Sequence, residues 1–262
     1  MREYELLEFS VDAGIATITL NRPDAANAFN LTLATELNHA ANRCQHDAGV
    51  RAVILCANGK LFSAGGDLGV MSEADDRVDA ALKQLTDQLH SAISILMRMR
   101  APLIVAVNGA AAGIGLSLAL IGDITLASEK ASFTLAYTAA GLSPDGASTY
   151  LLPKVIGIKR AKEMMITNRR LTAAEALEWG LVNRVVGVDA LPDETLELAR
   201  SIARGPTNAF GSVKSLVLSG FGGTLESQMA LEVEEIIQNA KSKDGQEGIQ
   251  AFLHKRQPRF NG

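Results

Sequence analysis

Three stretches of this sequence combine residue types that could do chemistry. Phe62-Ser-Ala-Gly-Gly-Asp67-Leu68 and Asn108-Gly109-Ala-Ala-Ala-Gly113-Ile114-Gly115 each follow an apolar run and consist mostly of small residues. Small side chains let a ligand approach the main chain, and a helix opening just beyond leaves N–H groups pointing outward. Two such loops at strand ends could offer two N–H groups to one oxygen, an oxyanion hole. On spacing alone, a pair of tight turns is the plainer reading. The third stretch is Gly141-Leu-Ser-Pro144-Asp145-Gly146, ahead of a helix that opens with small residues. Position alone makes Asp145 a helix cap. Its chemical alternative is a lone carboxylate beside Leu142, Leu151 and Leu152 that works as a base.

Other sites compete with these. Gly115-Leu-Ser117-Leu-Ala119 nearly matches the G-x-S-x-G elbow of serine hydrolases. That elbow needs a strand running straight into the serine, and Val107 lies too far upstream, so Ser117 reads as a helix-interior serine. The glycines at 109, 113 and 115 do not fit G-x-G-x-x-G, and no P-loop lysine follows them. His90 sits one position off the Leu89 face of a long amphipathic helix; a surface or core histidine is the plainer reading, catalysis the sharper one. His39, His46 and His254 have no metal-ligand spacing, and no metal site is expected.

The elements that must position these residues follow from periodicity. Leu6 to Val11 and Ile15 to Leu20 flank Asp12-Ala13-Gly14 as a hairpin. Asn30 can cap a helix through Asp47, since Leu33, Leu37, Ala41 and Cys44 recur at helical spacing. Val53 to Leu55 is a short apolar strand, and a helix is expected from about Asp75 to Met99. Next come a strand over Leu103 to Val107, a glycine turn, a helix near Gly113 to Ile121 and a strand over Ile124 to Ala127. This order argues for parallel strands covered by helices, an α/β fold. The second half reads as nearly all helical. Thr172-Ala-Ala-Glu175 is a capping box, and helices are expected over Leu191 to Ala203, Asn208 to Leu218, Leu225 to Asn239 and Asp244 to His254. The division is an α/β core over residues 1–190 and a helical region over 191–262. So many apolar positions in the latter need a surface to cover, either this chain's own core or a neighbouring subunit's.

Composition bounds the partners. At 262 residues and 47% hydrophobic, the chain can fill a sizeable core. A net charge of −4 with no long basic run gives no support for nucleic acid or an anionic membrane. Two cysteines make no disulfide framework, which points inside the cell. Ala101 to Gly122 lacks charge and is long enough to span a bilayer. Pro102, Asn108-Gly109 and the glycines at 113, 115 and 122 interrupt it, so a buried strand, turn and helix are expected. With no signal-peptide pattern at Met1-Arg-Glu-Tyr-Glu-Leu, the sequence reads as a cytoplasmic protein.

In this order and spacing the segments resemble the crotonase superfamily, the enoyl-CoA hydratase/isomerase family, over essentially the whole chain. The matching pieces are Leu20-Asn-Arg-Pro23 with Asn27-Ala28-Phe29, the loop Phe62 to Leu68, Pro102 to Gly109, Gly113 to Ala119, Asp123, Ala131-Ser-Phe133 and Gly141-Leu-Ser-Pro144. Ala174-Glu-Ala, Trp179-Gly-Leu-Val182, Glu247 to Phe252, Lys255-Arg256 and Pro258 follow.

The resemblance implies a spiral of β-β-α turns followed by a helical trimerisation region, assembled as a homotrimer or dimer of trimers. It implies an acyl-CoA thioester substrate, with coenzyme A part of the substrate and no separate cofactor. By residue match, Gly66 and Ile114 would donate their N–H groups to the thioester carbonyl. Ala64, Gly65, Asp67, Leu68, Gly113 and Tyr137 would line the substrate. Hydratases of the family carry glutamates at the positions of Ser117 and Tyr137, and their absence speaks against hydration, which needs a base and an acid. The acid that remains, Asp145, matches one in enoyl-CoA isomerases, including phenylacetate-pathway members. There a single carboxylate carries out a 1,3 proton shift through an enolate. Asp145 and His90 also match an aspartate and a histidine of 4-chlorobenzoyl-CoA dehalogenase, a second reading. Hydration ranks third. A noncatalytic acyl-CoA-binding member, with Asp145 as a cap, is the non-enzymatic alternative.

Overall fold

The computed structural model describes residues 4–69 and 77–261. Strands β1 (Leu7–Asp12) and β2 (Ile15–Leu20) form the expected antiparallel hairpin. They open a six-stranded sheet continued in parallel by β3 (Ala52–Ala57), β4 (Leu103–Val107), β6 (Ile124–Ser128) and β9 (Arg184–Val186). Alternation along the strands divides the core between its two faces. Val53, Leu55, Leu103 and Val105 enter the larger cluster, whereas Ala52, Ile54, Ile104 and Ala106 enter the smaller one. Helix α1 (Leu31–His46), whose Leu33 N–H is accepted by Asn30 Oδ1, and α2 (Val78–Arg98) pack together over the larger cluster. The start expected for α2 at Asp75 lies outside the described residues.

A second, three-stranded sheet is the main departure from expectation. It contains β5 (Ala110–Ala112), β7 (Ser132–Thr134) and β8 (Leu171–Thr172), each only two or three residues long. Single bridges between Ser63 and Ala111, and between Phe29 and Gly66, extend its pairing toward the N-terminus. The chain therefore visits the large sheet, then the small one, then a helix: β4, β5, α3 (Ile114–Leu120), followed by β6, β7 and α4 (Ser148–Ile156). This is the β-β-α spiral that the resemblance implies. The half expected to be nearly all helical contains β7, β8 and β9, too short to show an alternating pattern. The uncharged stretch from Ala101 to Gly122 resolves into β4, β5 and α3. Among the described residues no helix is long and apolar enough to cross a membrane.

Helices α5 (Ile158–Thr167) and α6 (Ala173–Glu178) complete the core, α6 opening on the Thr172–Glu175 capping box. Helix α7 (Leu191–Ala203) covers the second face of the large sheet with Leu191, Ala199 and Ala203. The helices that stand away from the sheet begin after Ala203. Arg51 marks that point by donating to the carbonyls of Ala203 and Gly205. Beyond lie α8 (Thr207–Gly220), α9 (Leu225–Lys241) and α10 (Lys243–Leu253), which expose Leu225, Ile236 and Phe252.

Lys214 fastens α8 to the core. Its Nζ donates to Asp123 Oδ2 at 2.7 Å and to the carbonyls of Leu96 and Ala101. Burial pushes the Lys214 ammonium down and the Asp123 carboxyl up from their ordinary values, each offset in part by the partner's charge. Such a pair adds little against an apolar replacement, but losing one member strands the other. Lys214→Met is expected to lower stability by about 3–5 kcal/mol, read as a shift in the urea midpoint.

Candidate active site

The first loop is held in place by its neighbours' polar groups. Asn27 is buried with a left-handed backbone; its Oδ1 accepts from Arg22 N–H, and its Nδ2 donates to the carbonyls of Asn58 and Leu61. Ser63 Oγ donates to the Asn27 carbonyl. Arg22 Nη1 reaches the Ala28 carbonyl and the Asp67 carboxylate at 2.6 Å. Asp67, expected to line the substrate, is therefore drawn to the guanidinium, and only its neighbours Gly66 and Leu68 face the cavity.

The two glycine loops press main chain against main chain. A Cβ on Gly65, whose φ is +104°, would stand 3.1 Å from the Ala112 carbonyl oxygen. Gly113, with φ +52° and ψ −117°, has the Gly65 Cα 3.5 Å from where its own Cβ would be. Ala112 N–H donates to the Ser63 carbonyl, and Gly113 N–H to that of Thr134. Pairing of Phe29 with its neighbours uses the Gly65 carbonyl and the Asp67 N–H, which turns the Gly66 N–H the other way. Ile114 opens α3, where no preceding turn can accept its N–H. Among the described residues neither of these two donors has an acceptor. Both residues line one cavity of about 340 Å³, whose walls include Leu82, Leu85, Tyr137, Leu142 and Asp145.

Asp145 is the one carboxylate in that lining among the described residues. It does not cap α4: the residue before the helix is Ala147, at φ +63°, and no side chain caps the first turn. The Asp145 carbonyl accepts instead from Ser148 Oγ at 2.8 Å, Ser117 Oγ at 3.0 Å and Ser148 N–H. Its carboxylate turns to His90, with Oδ1 2.7 Å from Nε2. The side chain is 30% exposed, half-sheltered between the cavity and solvent.

Ser117 lies wholly buried inside α3 and uses its hydroxyl on the Asp145 carbonyl, so it is a support and not a nucleophile. Burial pushes the Tyr137 phenol above its ordinary value, with the nearby Ser117 hydroxyl offsetting only part. Among the described residues no group meets the phenol oxygen in hydrogen-bonding geometry.

The structure thus brings Ala64, Gly65, Gly66, Leu68, Gly113, Ile114, Tyr137 and Asp145 into one cavity, and sets His90 behind Asp145 in the next. Leu82, Leu85 and Thr86 also line it. The two leucines carry the apolar period of α2, a signal that does not distinguish cavity wall from core. Among the described residues no three His, Cys, Asp or Glu side chains stand close enough to hold a metal ion.

A family model described as Enoyl-CoA hydratase/isomerase matches residues 10–262. The chain is 34% identical over 263 residues to a trans-2-decenoyl-[acyl-carrier-protein] isomerase of Streptococcus mutans, covering 99% of each. It is 38% identical over 229 residues to a 4-chlorobenzoyl coenzyme A dehalogenase of Arthrobacter, covering 86% of this chain and 82% of that one. A crystal structure of an enoyl-CoA hydratase/isomerase family protein from Mycobacterium abscessus superposes with a TM-score of 0.93 at 36% identity, covering 98% of this chain and 99% of that one.

Proposed function

The chain belongs to the enoyl-CoA hydratase/isomerase family, and from that premise we propose that it isomerises an enoyl thioester with Asp145 as the base. The observation that carries this reading is the placement of one carboxylate in the same cavity as two unengaged main-chain N–H groups. The thioester oxygen accepts from Gly66 and Ile114. Asp145 takes a proton from C2 of a 3-enoyl thioester, and the electron pair delocalises onto that oxygen as a dienolate. The carboxyl then returns the proton to C4, leaving the double bond between C2 and C3. One site holds one proton throughout, so neither water nor a second acid is consumed. Each N–H donor contributes on the order of 2.7–4 kcal/mol to such an oxyanion. Coenzyme A enters as part of the substrate, and no further cofactor takes part.

His90 acts here as a positioning residue, engaging Oδ1 and leaving Oδ2 for the proton. Hydration finds less support, since Ser117 and Tyr137 carry no carboxylate. In this reading residues 191–262 serve assembly as a homotrimer or a dimer of trimers, with Leu225, Ile236 and Phe252 supplying exposed apolar surface.

The contact between His90 and Asp145 favours one second reading. Asp145 would attack an aromatic ring bearing a halide, chloride would leave, and His90 would activate the water that cleaves the resulting aryl ester. Two assays on the purified protein separate these. We expect 3-decenoyl-CoA to yield the conjugated 2-enoyl thioester, seen by its ultraviolet absorbance, and 4-chlorobenzoyl-CoA to release no chloride. Chloride release without double-bond movement would replace the first reading by the second; 3-hydroxyacyl-CoA as the only product would overturn both.

A further inference from the structure

The turn that follows β3 is tied to both glycine loops by asparagine amides. Asn27 Nδ2 donates to the carbonyls of Asn58 and Leu61, and Asn108 Nδ2 donates to that of Gly59 at 2.8 Å. The Asn27 carbonyl receives Ser63 Oγ, and Asn108 opens the loop that runs to Ile114. The same turn holds an Asn-Gly pair, in which the absent Cβ leaves the glycine nitrogen open to the asparagine side chain. We propose that Asn58 is a site of spontaneous deamidation, and that its isoaspartate product loosens both loops at once. The Gly59 nitrogen attacks Asn58 Cγ and forms a C–N bond. The side-chain amide leaves as ammonia, carrying the proton lost from Gly59, and a succinimide remains. Water then adds to one ring carbonyl and opens the ring, giving aspartate or the main-chain isomer isoaspartate.

The sequence holds Asn-Gly at 58–59, 108–109 and 261–262, the last including a residue outside those described. Surroundings separate the first two. Asn58 and Gly59 are exposed, and among the described residues the Gly59 N–H has no acceptor. The Asn58 amide donates to Asn21 Oδ1 at 3.0 Å and Glu8 Oε1 at 3.2 Å, surface contacts that water can replace. Asn108 has its Oδ1 closed off from solvent. A Cβ on Gly109 would stand 2.1 Å from the Lys60 carbonyl oxygen, so a ring has no room to form there. Isoaspartate adds a methylene to the main chain at 58, and the carbonyls that Asn27 and Asn108 hold can no longer all stay in register. Its free carboxylate also replaces an amide that faced Glu8. The modification stands apart from any catalytic reading; its effect on turnover rests on the proposed roles of Gly66 and Ile114.

The test keeps the purified full-length protein warm at mildly alkaline pH and follows it by peptide mapping, with fragmentation that separates isoaspartate from aspartate. Asn58 should convert well ahead of Asn108, mainly to isoaspartate. On the same samples, amide hydrogen exchange over Phe62 to Gly66 and Ala110 to Ile114 should speed up. A displacement near 1 Å costs on the order of 100-fold in turnover, so modified molecules contribute little and turnover should fall in step with the isoaspartate fraction. Asn58→Gln, whose longer side chain closes a ring far more slowly, should keep both its exchange pattern and its turnover. Asn108 keeping pace with Asn58, or Asn58 retaining its amide, overturns the site. Exchange that stays unchanged as isoaspartate accumulates, or changes equally in Asn58→Gln, overturns the link to the loops. A fresh preparation without isomerase turnover rejects the catalytic reading instead, while mapping and exchange still decide the proposal.

Discussion

Asp145→Asn is expected to lower kcat/KM for 3-enoyl-CoA by roughly 10²–10⁴-fold, the usual contribution of a positioned acid–base group. The replacement is close to isosteric and leaves the main chain untouched. The Asp145 carbonyl is held by Ser117 and Ser148, which do not sense what the side chain carries. Binding should therefore persist: the Kd for decanoyl-CoA is predicted to stay within about threefold, since the main-chain groups proposed to hold the thioester remain. A variant that neither turns over nor binds would point to a structural role for the carboxylate, through its 2.7 Å contact with His90. Full turnover in Asp145→Asn would remove the residue from the chemistry altogether. The companion His90→Gln keeps a polar group near Oδ1 and should lose far less if Asp145 is the base.

The second large effect is expected from Gly115→Ala, a change of one methyl group outside the cavity. A Cβ at 115 would stand 2.6 Å from the Ser63 carbonyl oxygen and 2.9 Å from Ser63 Cβ. Neither is the end of a flexible chain, so the first turn of α3 and the loop from Ser63 to Gly66 must separate. Those segments carry Gly66 and Ile114, whose N–H groups we propose as the oxyanion donors. A displacement near 1 Å costs on the order of 100-fold in turnover, while overpacking lowers stability by about 1–3 kcal/mol. The decisive measurement is kcat on protein shown by circular dichroism to be folded. Gly187→Ala, where nothing lies within 4 Å of the added Cβ, controls for the substitution itself. Unchanged turnover in a folded Gly115→Ala protein would show that the donors do not depend on this contact.

Both predictions concern features that the sequence discloses unequally. Long periodic elements were legible: α1 with its Asn30 cap, β2, β4 and α7 follow from side-chain spacing because each buries apolar residues along its length. The small sheet was not. Ala110–Ala112 and Ser132–Thr134 are too short for alternation to register, and they pair with residues far along the chain. The glycine loops show in the sequence as runs of small residues, but their mutual contact is tertiary, and only that contact separates an oxyanion site from two tight turns. Asp145 was ambiguous for the same reason. Its distance from a helix start suggests a cap, and only the left-handed turn at Gly146 and Ala147 releases the carboxylate toward His90. Asp67 shows the reverse case, a carboxylate expected to line the substrate that is drawn away by Arg22.

Three donors converge on the carbonyl at position 145, and none of them touches the side chain. The position behaves as a socket. Whatever functional group is installed there arrives at the same place relative to a bound thioester, because its Cα is fixed by serines on two other turns of helix. New reactivity at this carbon framework can then arise by exchanging a single residue, with no redesign of the parts that recognise the ligand.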